Sequence, residues 1–335
     1  MLYRNKKDGK QTKIRVFLRS DPYAYVQFWP MDGSRSQMDL VVNDGYLFRS
    51  LPVAVPFDAL LDAPMKDVLA SIGRAFPFQY FDIDQRAYGE TRSLIAEIRA
   101  ALPGLAYADD GAFDQDGKPI YIASLAPQLA PAGLNCSGFA KWVVDGILRP
   151  FTGARLAVPP LKLPSGVRGS SFTLPYETLR DPFFGLDWTR NLAIAAASAL
   201  RPGSQARIEE LEVRSSPLSS VNMRSSGQRW IRPYPPYLKD AGFGVEGLRA
   251  LLYHLAVSEP GWLYLASVNK ELGNSPRMRQ HFHVAVLIPY FDEKGAFRTD
   301  VFESAAETSL AAFIGRYPGH HINLVRIPVE RGFDP

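Results

Sequence analysis

Over the first 56 residues apolar side chains alternate with polar ones or cluster in short runs, and turn residues separate the runs. Lys13–Arg19, Tyr23–Trp29, Met38–Asn43 and the stretch from Tyr46 to Val55 each read as a strand, punctuated by Pro30-Met31-Asp32-Gly33 and Asn43-Asp44-Gly45. Residues 1–56 are therefore expected to form a small β-rich module. Over 57–104 the apolar spacing lengthens to near 3.6, which predicts a connecting region with helices over Asp58–Phe76 and Glu90–Leu102, the second stopped by Pro103-Gly104.

A third region, 105–335, follows. A short apolar run from Ile120 to Leu125 leads through a Pro/Ala/Gly segment into a helix starting at Cys136, whose Phe139, Trp142, Val143 and Ile147 share one face and which Pro150 is expected to end. From about 150 to 245 the chain is rich in Pro, Ser and Gly and carries one short helix, Trp188–Leu200; so long a loop-rich interval reads as a functional insertion. A helix over 246–257 precedes strands at Trp262–Val268, Val284–Pro289, Phe297–Phe302 and Ile322–Val329. Helix first and sheet afterwards is an α+β order.

Composition narrows the function classes. The 335 residues are 46% hydrophobic, enough for a sizeable core, and 38 basic against 34 acidic residues leave a net charge of +4 without a basic stripe. No nucleic-acid motif accompanies that mild excess, so no nucleic-acid partner is expected. A weakly cationic surface suits an anionic polymer such as a bacterial wall. No run of about 18 apolar residues predicts a membrane span. The basic start, Met1 to Lys13, is followed by no apolar leader core, which implies a cytoplasmic protein or an export leader already removed, and hence a periplasmic or secreted one.

The chemistry gathers around the single cysteine. Cys136 cannot form an intrachain disulfide, and at a helix N-terminus it lies beside unpaired N–H groups and the positive dipole end, which favour a thiolate. Far downstream His283 opens an apolar strand and offers a proton acceptor. His281 lies two residues away and is expected to neighbour the site; without a second cysteine or a carboxylate at ligand spacing the pair implies no metal, and no cofactor is expected. His320-His321 reads as a loop end, His254 as structural, and Asp114 to Gly117 and Asp292 to Gly295 as turns. In the insertion, Asp187, Trp188 and Arg190, with Trp230 and Tyr234, combine aromatics with charge in a way that suits stacking on sugars and pairing with carboxylates.

Cysteine first, then histidine at the start of a strand, is the chain order of papain-type thiol hydrolases. More closely, Asn135-Cys136-Ser137-Gly138-Phe139 resembles the Asp-Cys-Ser-Gly-Phe helix start of NlpC/P60 cysteine peptidases, and His283-Val-Ala-Val-Leu resembles their His-Val-Gly-Ile-Tyr strand. The resemblance covers about 30 residues. It implies a nucleophile helix packed on an antiparallel sheet, an amide-cleaving hydrolase acting on peptidoglycan peptides, Cys136 as nucleophile, His283 as base, and Glu303 on the next strand as the residue that orients the imidazole. The chain departs from the family in Asn135 for aspartate, in glutamate as the orienting residue, and in the long interval between residues 136 and 283. The oxyanion would be met by the Cys136 N–H and a second donor from Asn135 or Gln128. By analogy with wall hydrolases, the N-terminal module is expected to be SH3-like. An acyltransferase or thioesterase using the same nucleophile, or a non-catalytic wall- or ligand-binding protein, are the alternatives.

Overall fold

The computed structural model describes residues 1–335 apart from 20, 74–77, 167–180, 202, 204–205, 224–228 and 273–277, with the backbone alone described for 222, 223, 229, 230 and 278. It is an α+β structure built on two seven-stranded antiparallel sheets and one small hairpin.

The first sheet begins with β1 (Leu2–Arg4), β2 (Gln11–Phe17), β3 (Ala24–Pro30), β4 (Ser36–Val42) and β5 (Gly45–Val53), a meander in sequence order. Alternation fixes which side chains turn inward: Val26, Phe28, Met38 and Leu40 are all buried. The turn residues Asn43 and Asp44 both take positive φ, the backbone that a tight connection between right-twisted strands requires.

The expected 58–76 helix is broken in two. A 3-10 turn, Asp58–Leu61, is followed by α1 (Met65–Ala70), because Pro64 disfavours helical geometry at the residue before it and itself adopts extended ψ; residues 74–76 lie outside the described ones. The helix expected over Glu90–Leu102 forms as α2 (Gly89–Ala101). A hairpin of β6 (Gly111–Phe113) and β7 (Pro119–Tyr121) turns at Gly117, whose φ is +77°.

The cysteine helix, α3 (Cys136–Thr152), is buried without a break from Ser137 to Leu148. It runs through Pro150, contrary to the sequence expectation, and stops at Gly153 in the left-handed conformation. Proline leaves the carbonyl four residues earlier without its helical donor. Here the Gly146 carbonyl accepts instead from the backbone N–H of Asp334 at 2.8 Å. Phe333 packs edge-on against Trp142, with ring centroids 5.3 Å apart, and fills the space above Gly146, where a Cβ would come within 2.2 Å of its ring. Arg149 adds bonds to Asp334 and the Pro335 carbonyl. Replacing Phe333 by alanine is therefore expected to cost about 2–3 kcal/mol of stability; a melting temperature unchanged from wild type would show that this tail does not brace the helix.

Within the insertion come α4 (Val158–Leu161), α5 (Phe184–Leu200), which starts earlier than expected, and α6 (Ile208–Leu211). The strands β8 (Ser219–Met223) and β9 (Arg229–Pro233) then return to the N-terminal sheet, β8 pairing with β5 through Tyr46 and Ser219. The N-terminal sheet is thus completed by residues 219–233, outside the expected 1–56.

The second sheet has the order β10 (Tyr237–Leu238), β11 (Gly242–Gly244), β16 (His321–Pro328), β12 (Trp262–Leu272), β13 (Met278–Phe291), β14 (Phe297–Glu303) and β15 (Ala306–Ser309). Two helices complete the chain, α7 (Leu248–Ser258) before β12 and α8 (Leu310–Arg316) between β15 and β16. Helices α3 and α5 pack on each other and on β13, while α2 and α7 also pack on β13. The connecting region joins the two sheets: Tyr80 receives a bond from Arg19 on its carbonyl and its hydroxyl lies 2.5 Å from His254 Nδ1, while Tyr88 donates to the Ala256 carbonyl. Burial pushes His254 down to about 4, so it stands there as a neutral ring.

Candidate active site

Cys136 is the first residue of α3, and its environment is built by close backbone approach. The Asn135 side chain caps the helix, its Oδ1 accepting from the Gly138 N–H at 2.8 Å. Asn135 N–H in turn donates to the Gly111 carbonyl. Gly138 must be glycine for the same reason, since a Cβ there would meet the Gly111 oxygen at 2.0 Å. From the other side Trp188, fully buried on α5, donates its indole N–H to the Ser137 carbonyl at 2.9 Å. The start of the helix is therefore gripped by β6 and by α5.

His283 stands on β13 opposite Val268, next to a bulge at Phe282 that interrupts the β12–β13 register. Glu303 is the last residue of β14, just before a two-residue turn in which Ser304 and Ala305 both take positive φ. His283 Nε2 and Glu303 Oε2 are 2.5 Å apart. That pairing leaves Nδ1 as the uncommitted ring nitrogen, and the imidazole and the thiol line the same cleft. Burial works to push the Cys136 thiol up, but the His283 bond and charge, a bond from the Val284 N–H and the Ser137 hydroxyl together bring it below the ordinary thiol value.

Glu303 has a second partner that the sequence reading missed. Arg316, at the end of α8, donates to Oε1, so each carboxylate oxygen serves one cation-forming group. The carboxylate itself is buried. Tyr317 lies against the imidazole, with ring centroids 5.9 Å apart.

Cys136 and His283 open into a cleft of about 390 Å³ whose walls include Tyr107, Asp109, Asp110, Phe184, His281 and Ser304. Of these, only His281 stood out in the sequence. Burial raises the Tyr107 and Tyr317 hydroxyls, and proximity to Asp109 and Cys136 for the first and to Cys136 for the second works in the same direction.

The remaining sequence candidates have other partners. His281 is 3% exposed, its Nδ1 is 2.8 Å from Ser267 Oγ, and burial, with Arg190 and Arg279 nearby, drives it down to about 3. It is a neutral wall of the cleft rather than its base. Gln128 bridges loop carbonyls, Nε2 donating to Ala112, Ile120 and Gly133 while Oε1 accepts from Gly133 N–H, so its amide is committed away from the thiol. Asp187 accepts from the Ser165 N–H and hydroxyl, and Arg190 is bonded to Glu212 and Asp240. Tyr234 packs beside Gly45 of the N-terminal sheet. Gln128, Asp187, Arg190 and Tyr234 do not line the cleft. The Trp230 side chain lies outside the described residues. Two other polar residues of the same sheet are committed elsewhere, Asp300 to Arg99 and Tyr290, and buried Asn323 to Glu212.

Residues 1–80 match a family described as a domain of unknown function, DUF8515. No curated protein and no solved structure matches the chain. Among the described residues, no helix is long and apolar enough to cross a membrane.

Proposed function

We propose that the chain is a cysteine hydrolase with an NlpC/P60-like, papain-related core that cleaves an amide bond in peptidoglycan peptides. The observation that carries this reading is the convergence in one cleft of a thiol at a helix N-terminus and an imidazole whose Nε2 is paired with a buried carboxylate. The substrate class rests on the resemblance of the two motifs. Asp109 and Asp110 give the cleft an acidic lip that suits the free amino groups of wall stem peptides. Action on the intact wall would suit a periplasmic or secreted enzyme, and action on released wall peptides a cytoplasmic one.

In the reaction Nδ1 of His283 takes the thiol proton, and the Cys136 sulfur attacks the scissile carbonyl carbon. The developing oxyanion is met by the Cys136 N–H, one of the donors a helix start leaves open, and by the Asn135 NH₂, whose side-chain oxygen alone is used in capping. His283 then hands its proton to the departing amine, leaving a thioester. Water, deprotonated by the same nitrogen, cleaves the thioester and restores the thiol. Glu303 keeps Nε2 protonated and balances the imidazolium.

Because Cys136 is the single cysteine, alkylation reports on one site. The alkylation rate plotted against pH should rise well below the value of about 8.5 for a free thiol, and His283→Ala should move the rise upward, since the largest lowering influences come from that ring. Purified muropeptides should be cut by the same preparation. A wild-type inflection at or above the free-thiol value would remove the activated nucleophile, and with it this reading.

A further inference from the structure

Glu303 divides its two oxygens between His283 and Arg316, and that division has consequences for how the imidazole is held. A carboxylate with one oxygen free can rotate about its terminal torsion, which is broad and roughly two-fold. With Oε1 bound, the plane of the group is set and Oε2 faces Nε2. The guanidinium is itself seated. It lies 5.5 Å from the Tyr317 ring centre and 5.8 Å from that of Phe313, and it sits at the C-terminal end of α8, where a cation is favoured. The same helix is anchored at its other end by Ser309, whose hydroxyl accepts from the Ala312 N–H. Tyr317, the residue after Arg316, also touches the His283 ring. The segment from β14 through β15 to α8 thus carries the carboxylate and the group that aims it.

Among the salt bridges of the described residues, Arg316 has no other carboxylate partner than Glu303. An arginine used only to decorate the surface would gain little from that pair, since exposed ion pairs contribute about 0–1 kcal/mol. Here the acceptor side is buried and only the guanidinium reaches solvent.

We propose that Arg316 is a positioning residue of the site, acting through Glu303 to fix the orientation of His283 and so the reactivity of Cys136. The inference builds on the thiol-hydrolase reading for its meaning in turnover, but its first readout needs no substrate. Arg316→Ala should slow alkylation of Cys136 at pH 7 and lower kcat on muropeptides, each by about 10-fold, less than the roughly 10²-fold that a 1 Å misplacement of a reacting group can cost, with KM little changed. Arg316→Lys, which keeps the charge and most of the reach, should recover most of both. In a Glu303→Gln background Arg316→Ala should add nothing, because the residue acts through that carboxylate.

Arg316→Gln, closer in shape, carries the same expectation as alanine and serves if the alanine variant melts early. A wild-type alkylation rate in Arg316→Ala or Arg316→Gln, or an equal slowing whether or not Glu303 is present, would overturn the proposal. A wild-type protein whose alkylation depends on Arg316 but which cuts no muropeptide would remove the proposed substrate and leave this inference standing.

Discussion

Replacing Cys136 by alanine or serine is expected to reduce amide hydrolysis by about 10⁴-fold or more while the protein stays folded. In the proposed reaction the thiol forms the bond to the acyl carbon, and neither substitute supplies a group that ionises near neutral pH. Serine keeps the shape and a hydroxyl, yet the same imidazole must then deprotonate a far weaker acid. The fold does not depend on the sulfur. Cys136 is partly exposed, and the helix start is held by Asn135, Gly138 and Trp188. Muropeptide hydrolysis and thermal melting, measured on the same preparations, separate chemistry from stability. Turnover near wild type in the alanine variant would rule out covalent catalysis at this site.

Glu303→Gln is expected to slow turnover by about 10²-fold or more at saturating substrate, or about 2.7 kcal/mol of barrier. Glutamine keeps the volume and can still bond one neighbour. It removes the charge that balances the imidazolium, and it offers one acceptor oxygen where His283 and Arg316 now use two. Asp300→Asn is the control on the same strand. Its carboxylate pairs with Arg99 and the Tyr290 hydroxyl, and burial raises it, so its loss should leave turnover within about 2-fold. Rates across pH 5 to 9 that coincide for Glu303→Gln and wild type would show that another group orients His283.

The parts of this architecture that could be read from the chain are those in which local pattern and final packing agree. Strands β2 to β5 alternate and are flanked by Asn-Asp-Gly and Pro-Met-Asp-Gly turns, so their pairing follows from neighbours in sequence. The helix that begins at Cys136 was legible too, because the capping residue, the small Ser-Gly pair and the apolar face all point the same way. Its length was not. Pro150 normally ends a helix, and only the donor brought back from Asp334 lets α3 continue to Thr152.

Other misses share a non-local cause. Nothing in residues 219–233 announces that they will extend the sheet of the N-terminal module through Tyr46. Asp187, Trp188 and Arg190 have the composition of a binding loop, yet the fold commits their polar atoms to structural bonds, Asp187 to Ser165, Arg190 to Glu212 and Asp240, and Trp188 to the Ser137 carbonyl of α3. Arg316 stayed hidden because α8 is only seven residues long and falls between two strands. The Ser309 cap followed by Leu310 and Phe313 was the available signal for that helix, but no spacing rule links its last residue to Glu303.

The wide separation of the site residues along the chain also sets when the Cys136 thiol meets its partners. During synthesis the thiol emerges first, the imidazole much later, the carboxylate after that and the guanidinium last. Until β13 has paired with its neighbours, Cys136 is an ordinary cysteine with no base beside it. Contacts so distant in sequence are also among the slowest to form. A partly made or partly folded chain therefore carries a dormant thiol, and under the proposed function hydrolytic power would arrive only with the finished sheet.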